Sequence, residues 1–184
     1  MIVMHKASEP VTIEKFNPDW TSWFEELRSF FEQNLGPNVI RIEHVGSTSI
    51  PEMIAKPIID LDIVCHISNF DEIKSRLEAI GYAHQGDLGI PEREAFALTN
   101  LELKERLPTH HLYVCDVHSK ELHRHITFRD YLCEHPEDTK KYSEIKMRLV
   151  KEHSGDRELY IQGKAQLVQD ILERALRWYN NRDR

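Results

Sequence analysis

The chain has few cysteines, the residues that cross-link small disulfide-rich proteins. Its 184 residues include only three. Cys65, Cys115 and Cys133 lie far apart and form no Cys-x-x-Cys pair, which argues against a disulfide framework and against a zinc site made of cysteines. The sequence also lacks an apolar run long enough to cross a bilayer, an internal repeat and a linker rich in Pro, Gly or Ser. We therefore expect one compact domain with no membrane partner.

Positive charge is also scarce, because 24 Lys and Arg face 31 Asp and Glu and leave a net charge of -7. An acidic chain attracts the phosphate backbone of nucleic acids poorly, so we expect no nucleic-acid partner. Residues 1–6 lack the long apolar core of a signal peptide, and Glu9-Pro10 follows soon after them. Together with the cysteine usage, this predicts a cytoplasmic protein whose oligomeric state stays open.

The hydrophobic pattern is typical of a single domain over 1–184, with an α/β core over 1–118 and a helical part over 119–184. It predicts strands over 11–14, 39–45, 57–64 and 111–115, a helix beginning at Asn17, a helix over 69–80, a hairpin around Asn100, and helix starts near Lys120, Pro136 and Asp156. The helix that follows the third predicted strand favours a parallel neighbour for that strand. The late helices are expected to pack over the open face of the sheet.

Two aspartates interrupt the otherwise apolar strand over 57–64. Side chains alternate along a strand, so Asp60 and Asp62 point to one face, about 7 Å apart at the backbone, while Ile59 and Ile63 point to the other. Two like charges side by side repel each other and lose hydration, so both stay ionised only beside a positive group. Hard divalent cations prefer such oxygens, so we interpret the pair as ligands of Mg²⁺ or Mn²⁺. The alternative is a structural pair held by arginines or backbone amides.

A glycine and three hydroxyl residues follow the second predicted strand. Gly46 lets a phosphate approach the backbone. Free N–H groups at the start of a short helix, with the hydroxyls of Ser47, Thr48 and Ser49, suit a polyphosphate anion. The alternative is a plain connection between a strand and a helix. Lys56 is a further candidate for a phosphate contact, unless it is only solvated.

Gly46-Ser47 followed by Asp60-x-Asp62 resembles the signature of the nucleotidyltransferase superfamily, and the longer string from His44 to Pro51 resembles the GrpB family. The likeness continues through 55–60, 109–114, 128–132 and from Tyr142 to Lys146. This resemblance implies an α/β fold with a nucleotidyltransferase-like mixed sheet, flanking helices and a C-terminal helical segment. It also implies that the Gly-Ser turn holds a triphosphate and that the carboxylates hold magnesium.

Active members of that superfamily place a third carboxylate on a later strand, where this chain has a histidine pair. Alternation puts His111 on the face opposite to Leu112 and Val114, so we expect His111 to reach the aspartates as the third metal ligand. An imidazole softens the site and favours manganese or zinc relative to magnesium. The alternative is a histidine that only forms a hydrogen bond at the edge of the sheet.

Two Tyr-x-x-x-Lys pairs, Tyr142 with Lys146 and Tyr160 with Lys164, each place a ring and a cation on one helical face. Such a pair suits base stacking and a phosphate contact, so both lysines are predicted to bind nucleotide. The alternative is a core tyrosine beside a lysine whose ammonium group is solvated.

Other polar residues are expected to be structural. Four histidines fit no standard zinc spacing and are predicted to be solvated: His110, His118, His123 and His125. Arg129 and Asp130 are predicted to form an ion pair.

Three functional hypotheses follow from these residues. In the first, the chain is a metal-dependent nucleotidyltransferase that binds a nucleoside triphosphate and transfers the nucleoside monophosphate to an unknown small acceptor, with Asp60 and Asp62 as catalytic residues. In the second, it is a non-catalytic module for a nucleotide or a coenzyme A-related ligand, since relatives that resemble it occur joined to a dephospho-coenzyme A kinase. A structural or partner-binding role is a third option.

Overall fold

The computed structural model describes residues 10–182. Its elements, in chain order, are α1 (Asp19–Leu35), β1 (Val39–Val45), β2 (Ile59–Cys65), α2 (Phe70–Ala79), β3 (Tyr82–Gly86), β4 (Arg93–Leu98), α3 (Leu101–Arg106), β5 (His110–Asp116), α4 (Lys120–Glu134), α5 (Pro136–Glu152) and α6 (Arg157–Arg182), with short 3-10 helices at Gly36–Asn38, Ser47–Ser49 and Ile67–Asn69. Residues 1–6, for which we predicted no signal peptide, lie outside the described residues, as do both ends of the predicted domain over 1–184. Within residues 10–182, every helix is too short or too polar to span a bilayer.

The strands form one mixed five-stranded sheet in the order β1-β2-β5-β4-β3. β2 runs antiparallel to β1 and parallel to β5, and β4 runs antiparallel to both β5 and β3. The chain between β2 and β5 includes α2 and the β3-β4 hairpin, which supplies the long crossover that a parallel pair requires. The predicted α/β fold with a mixed sheet and flanking helices is confirmed.

The two faces of β2 differ, as the alternation predicts. Ile59, Leu61 and Ile63 are fully buried in the main core, where α1 and α2 pack against the sheet. Burying side chains of this size is worth about 1.5–3 kcal/mol each, so this face fixes the register of the strand. Asp60 and Asp62 consequently point to the opposite face, towards the C-terminal helices.

The C-terminal helices begin close to the predicted positions, at Lys120, at Pro136 and one residue after Asp156. α4 contacts β1 and β5 of the sheet, whereas α5 and α6 pack mainly on each other and on α4. Their apolar cluster also takes in Ile50 and Met53 from the segment that follows β1. The expectation that all late helices cover the sheet is therefore wrong for α5 and α6, which instead enclose this segment.

Two local predictions are also wrong. Residues 11–14 form no strand, and a single β-bridge joins Glu14 to Ala55. The hairpin lies between β3 and β4 rather than around Asn100, whose Oδ1 accepts a 3.1 Å hydrogen bond from Leu103 N and so caps α3. Asparagine is common both in turns and at helix N-termini, so its presence alone did not distinguish the two structures.

Candidate functional site

The turn after β1 requires a glycine. Gly46 has a φ of +72°, and a Cβ at this position would collide with the Asp60 carboxylate. Glycine alone combines this left-handed conformation with so close an approach. The turn therefore holds the 3-10 helix Ser47–Ser49 against β2, so that Ser47 and Asp60 line the same cavity.

The three hydroxyl groups after this glycine have different partners. Ser49 Oγ donates to the Gly46 carbonyl at 2.6 Å, and Thr48 Oγ1 donates to a main-chain carbonyl before β2 at 3.4 Å. These two hydroxyls hold the turn together. Ser47 Oγ instead accepts a 2.6 Å hydrogen bond from Lys146 Nζ at the wall of the cavity. Among the three predicted phosphate-binding hydroxyls, Ser47 is thus the one that contacts a cation.

Three lysines from different parts of the chain converge on this cavity. Lys146 of α5 is 2% exposed, and its Nζ also donates to a main-chain carbonyl at 3.0 Å. The same atom lies 4.2 Å from the centroid of the Tyr142 ring. The ammonium groups of Lys164, on α6, and Lys56 lie 4.9 Å and 5.7 Å from the centroid of the Tyr160 ring. The lysines of both predicted Tyr-x-x-x-Lys pairs therefore turn towards the cavity.

Electrostatics make this cavity suited to an anion. It measures about 170 Å³ and is lined by Ser47, Thr48, Ala55, Lys56, Ile58, Asp60, His111, Lys146, Tyr160 and Lys164. Burial, and then the charge of Lys164, lowers the pKa of Lys146 well below its ordinary value. Burial, and then the charge of Lys56, lowers the pKa of Lys164 to about 8. The Asp60 carboxylate opposes both shifts without cancelling them. The lining has three lysines and one carboxylate, so a bound anion would favour the charged forms of the lysines.

Asp60 and His111 form a pair at the border of the cavity. The parallel register places them side by side on β2 and β5, and His111 Nδ1 donates to Asp60 Oδ1 at 2.8 Å. The His111 side chain is 50% exposed and the Asp60 side chain 30% exposed, so both remain accessible to a ligand. The histidine thus lies on the face of the aspartates, as the alternation along β5 predicts.

Asp62 has a different partner from the one that the sequence suggested. Its side chain is completely buried, and its Oδ2 accepts a 2.7 Å hydrogen bond from His125 Nδ1 on α4. His125 Nε2 lies 3.3 Å from Glu121 Oε1, one turn earlier on the same helix. Burial alone would lower the pKa of His125, but its hydrogen bonds to the two carboxylates raise the pKa to about 9. An imidazolium ion therefore neutralises the buried aspartate at neutral pH.

The prediction that His125 is solvated is therefore wrong. The spacing Glu121-x-x-x-His125 puts a carboxylate and an imidazole on one helical face, and this was the available signal in the sequence. It did not reveal that the same face would lie over β2. The predicted pair of Arg129 and Asp130 is present at 2.7 Å, and Arg129 Nη1 also reaches Glu43 at 2.8 Å.

The residues present fit a divalent cation in part. Asp60 borders the cavity, and Asp62 Oδ1 is buried without a hydrogen-bond partner among the described residues, so each carboxylate can offer an oxygen to a hard cation. His111 donates to Asp60 through Nδ1, so Nε2 is the ring nitrogen that can coordinate a metal while this bond is kept. Within residues 10–182, no group of three or more His, Cys, Asp or Glu side chains is already arranged as a metal site.

A profile of the GrpB protein family matches residues 10–174. The chain belongs to the GrpB family. This GrpB chain is 36% identical over 177 residues to the UPF0157 protein YqkA of Bacillus subtilis, a match that covers 94% of this chain and 49% of YqkA. It is 23% identical over 193 residues to a dephospho-CoA kinase of Mycolicibacterium paratuberculosis, covering 94% of this chain and 47% of that protein. The GrpB chain thus spans about half the length of these two relatives.

Solved structures share the fold. The crystal structure of GrpB from Enterococcus faecalis superposes with a TM-score of 0.79 at 30% identity, covering 91% of this chain and 99% of that chain. The Cid1 poly(U) polymerase with MgGTP bound superposes with a TM-score of 0.51 at 12% identity, covering 74% of this chain and 43% of that chain. This GrpB chain therefore has a nucleotidyltransferase-like fold.

Proposed function

We propose that this GrpB-family protein binds a nucleoside triphosphate together with Mg²⁺ or Mn²⁺ and transfers the nucleoside monophosphate to a small acceptor in the cytoplasm. The observation that supports this most is the convergence of Lys56, Lys146 and Lys164 around Ser47, next to Asp60. Lysine ammonium groups bind phosphates as point charges, and three of them suit a polyphosphate better than a single phosphate. The fold shared with Cid1 is consistent with this function but does not establish it.

In this proposal the terminal phosphates lie among the three lysines, and the Ser47 hydroxyl donates to a phosphate oxygen while it accepts from Lys146. The bound polyphosphate favours the charged forms of Lys146 and Lys164, and so raises the pKa values that burial lowers. In the proposal the α-phosphorus lies beside the Asp60 carboxylate, because Asp60 lines the same cavity as the lysines. Asp60 and Asp62, with His111 as a further ligand, would hold a divalent cation, and the cation would supply positive charge that stabilises the departing pyrophosphate.

A second candidate function is a non-catalytic module that binds a nucleotide or a coenzyme A-related ligand. The observation that favours it is the pairing of Asp62 with His125, because this carboxylate is already neutralised without a metal ion. The similarity to a dephospho-CoA kinase is consistent with a ligand of this class. The same lysines would hold its phosphates. The two candidates therefore agree on binding and differ on turnover.

The first prediction is that the cation and the triphosphate strengthen each other's binding. Carboxylates repel a triphosphate until a cation screens them, so each ligand should bind more tightly in the presence of the other. Thermal unfolding with a non-hydrolysable ATP analogue, with Mg²⁺, and with both should show the largest stabilisation for the combination. At a hundred times the dissociation constant, a ligand stabilises the fold by about 2.7 kcal/mol. Equal stabilisation by the analogue with and without Mg²⁺ would refute the proposed metal.

An Asp60→Asn variant should lose the additional stabilisation by Mg²⁺ and keep the stabilisation by high concentrations of the analogue alone. Asp71→Asn on α2 is the matched control, since Asp71 is exposed and lies outside the cavity. Incubation of the parent with Mg²⁺ or Mn²⁺, the four ribonucleoside triphosphates and a mixture of metabolites then separates the two functions. Pyrophosphate and mass-shifted products indicate a transferase, whereas binding without either product indicates the module.

A second prediction concerns pH. Lys164 has a pKa of about 8 in the free protein, so above this pH it must take up a proton to bind a polyanion as an ammonium ion. The affinity for the triphosphate analogue should therefore fall as the pH rises through about 8, by at most about tenfold per pH unit for one proton. Calorimetry in buffers of different ionisation enthalpy should detect the proton uptake. Lys164→Met should take up less proton than the parent, because only Lys146 then remains to be protonated, and Lys140→Met, an exposed control on α5, should match the parent; the same uptake in both variants contradicts the assignment.

A further inference from the structure

A second, larger cavity lies on the other side of His111. It measures about 550 Å³, within the range of about 300–1,000 Å³ that small-molecule sites occupy. Its floor includes Ala95 and Ala97 of β4 and Tyr113 of β5, and Arg157 of α6 forms part of its rim. The small side chains of Ala95 and Ala97 leave room above this part of the sheet. We call this cavity the β4 groove.

We call the cavity lined by Lys56, Lys146 and Lys164 the lysine cavity. His111 borders both the lysine cavity and the β4 groove, so the two form neighbouring compartments on one face of the sheet. In nucleotidyl transfer the acceptor attacks the α-phosphorus in line with the bond to the departing pyrophosphate. If the pyrophosphate end lies among the lysines, the acceptor must come from the opposite side of Asp60 and His111. The β4 groove occupies that position.

The charges around the β4 groove specify the acceptor further. Lys104 and Arg157 line it, and its described lining includes no aspartate or glutamate, although the whole chain carries a net charge of -7. Arg157 lines the β4 groove, and its positive charge contributes to lowering the pKa of Lys56 in the neighbouring cavity. Tyr113 offers an aromatic ring, with Arg93 4.1 Å from the ring centroid. A small anion with a flat or apolar body complements these groups.

We infer that the β4 groove is the acceptor site, and that the acceptor is a small anionic molecule with a free hydroxyl group; this inference rests on the proposed function. In the reaction the acceptor oxygen forms a bond to the α-phosphorus, and the bond from the α-phosphorus to the pyrophosphate oxygen breaks. The pyrophosphate leaves with the electron pair of that bond. The hydroxyl proton of the acceptor passes to solvent.

The test is a screen by ligand-observed NMR with paired fragments, each pair consisting of a hydroxylated carboxylate or phosphate and its uncharged analogue, for example 4-hydroxybenzoate and 4-hydroxybenzyl alcohol. We expect the anionic members to bind at least tenfold more tightly, and to stay bound when the non-hydrolysable ATP analogue and Mg²⁺ are added. Ala97→Phe, which fills the groove, should abolish their binding, and Arg157→Glu should weaken it at least tenfold. Arg177→Glu is the matched control, because it makes the same change at an exposed position 20 residues further along α6.

Other outcomes overturn the inference. Displacement of the fragments by the ATP analogue would assign the groove to the nucleoside, and a preference for uncharged fragments would exclude an anionic acceptor. Binding that survives Ala97→Phe would place the fragments elsewhere, and no binding at all would leave the groove without a ligand of this class. Failure of the ATP analogue to bind, with fragment binding intact, would refute the proposed function but not the anion preference of the groove.

Discussion

Replacing Lys146 by methionine is expected to weaken binding of the triphosphate analogue about 100-fold and to leave the free protein within about 1 kcal/mol of the parent in stability. Loss of a buried ammonium group that contacts a phosphate costs about 2–5 kcal/mol of binding free energy. In the free protein the substitution removes two hydrogen bonds, to Ser47 Oγ and to the Ile54 carbonyl. It also removes the free-energy cost of burying a cation, and this gain largely offsets the loss of the two hydrogen bonds. Methionine fills nearly the same volume, so no cavity is left.

Calorimetry with the ATP analogue measures the affinity, and denaturant unfolding measures the stability. Lys140→Met, on an exposed turn of the same helix, is the matched control and should bind the analogue within about twofold of the parent, because surface charges contribute little. Unchanged affinity in Lys146→Met would show that the phosphates lie elsewhere. Strong destabilisation would instead assign Lys146 a structural role in joining α5 to the turn after β1.

Several local features around the lysine cavity could be predicted from the sequence, because they depend on local geometry, whereas the convergence of its three lysines could not. Alternation along a strand places Asp60 and Asp62 on one face regardless of what packs there. A spacing of four residues places Tyr142 beside Lys146 on a helix in the same way. The left-handed turn at Gly46 follows from a glycine between a strand and a short helix. These regularities need no knowledge of how distant segments pack.

The partner of Asp62 depends on tertiary packing, and the sequence did not reveal it. His125 reaches Asp62 only because α4 crosses β1 and β5 in one particular register, and neither residue specifies that register by itself. The same limit explains why residues 11–14 were mistaken for a strand, since a short apolar stretch becomes a strand only when a ladder partner lies beside it. The β4 groove was missed because it is defined by small residues, Ala95 and Ala97, that carry no chemical signal.

Replacing His125 by leucine is expected to lower the free energy of unfolding by about 3–5 kcal/mol at pH 7. Asp62 is completely buried, and the imidazolium of His125 is the cation that contacts it. Leucine occupies a similar volume, so the loss comes from a buried carboxylate without a counter-charge rather than from a cavity. Denaturant unfolding measures the change. His123→Leu, at an exposed position on the same helix, should stay close to the parent.

A double variant shows whether the charge is responsible. Asp62→Asn combined with His125→Leu removes both charges, so it should recover most of the stability that His125→Leu loses. If the double variant is no more stable than His125→Leu, the histidine stabilises the fold through packing and not through Asp62. If His125→Leu alone is as stable as the parent, the ion pair contributes nothing.

The pH dependence of this effect has a defined sign. The pKa of His125 rises from its ordinary value of 6.5 to about 9 in the folded protein, so the stabilisation is fully present below pH 6.5 and is lost as the pH rises through about 9. The difference in stability between the parent and His125→Leu should therefore shrink steadily between these two values. Lys146 and Lys164 titrate in both proteins, so their contributions cancel in the difference. A difference that stays constant with pH would rule out the charged pair.

The same variant tests whether Asp62 can bind a metal ion. Asp62 Oδ1 has no hydrogen-bond partner among the described residues, and in His125→Leu both carboxylate oxygens lack one. If Mg²⁺ raises the stability of His125→Leu but not that of the double variant, then Asp62 accepts a cation, and the imidazolium and the metal compete for one carboxylate. In that case metal binding to the parent should strengthen above pH 9, where His125 is neutral. If Mg²⁺ stabilises both variants equally, Asp62 is a structural residue, and Asp60 with His111 holds the cation beside the lysine cavity.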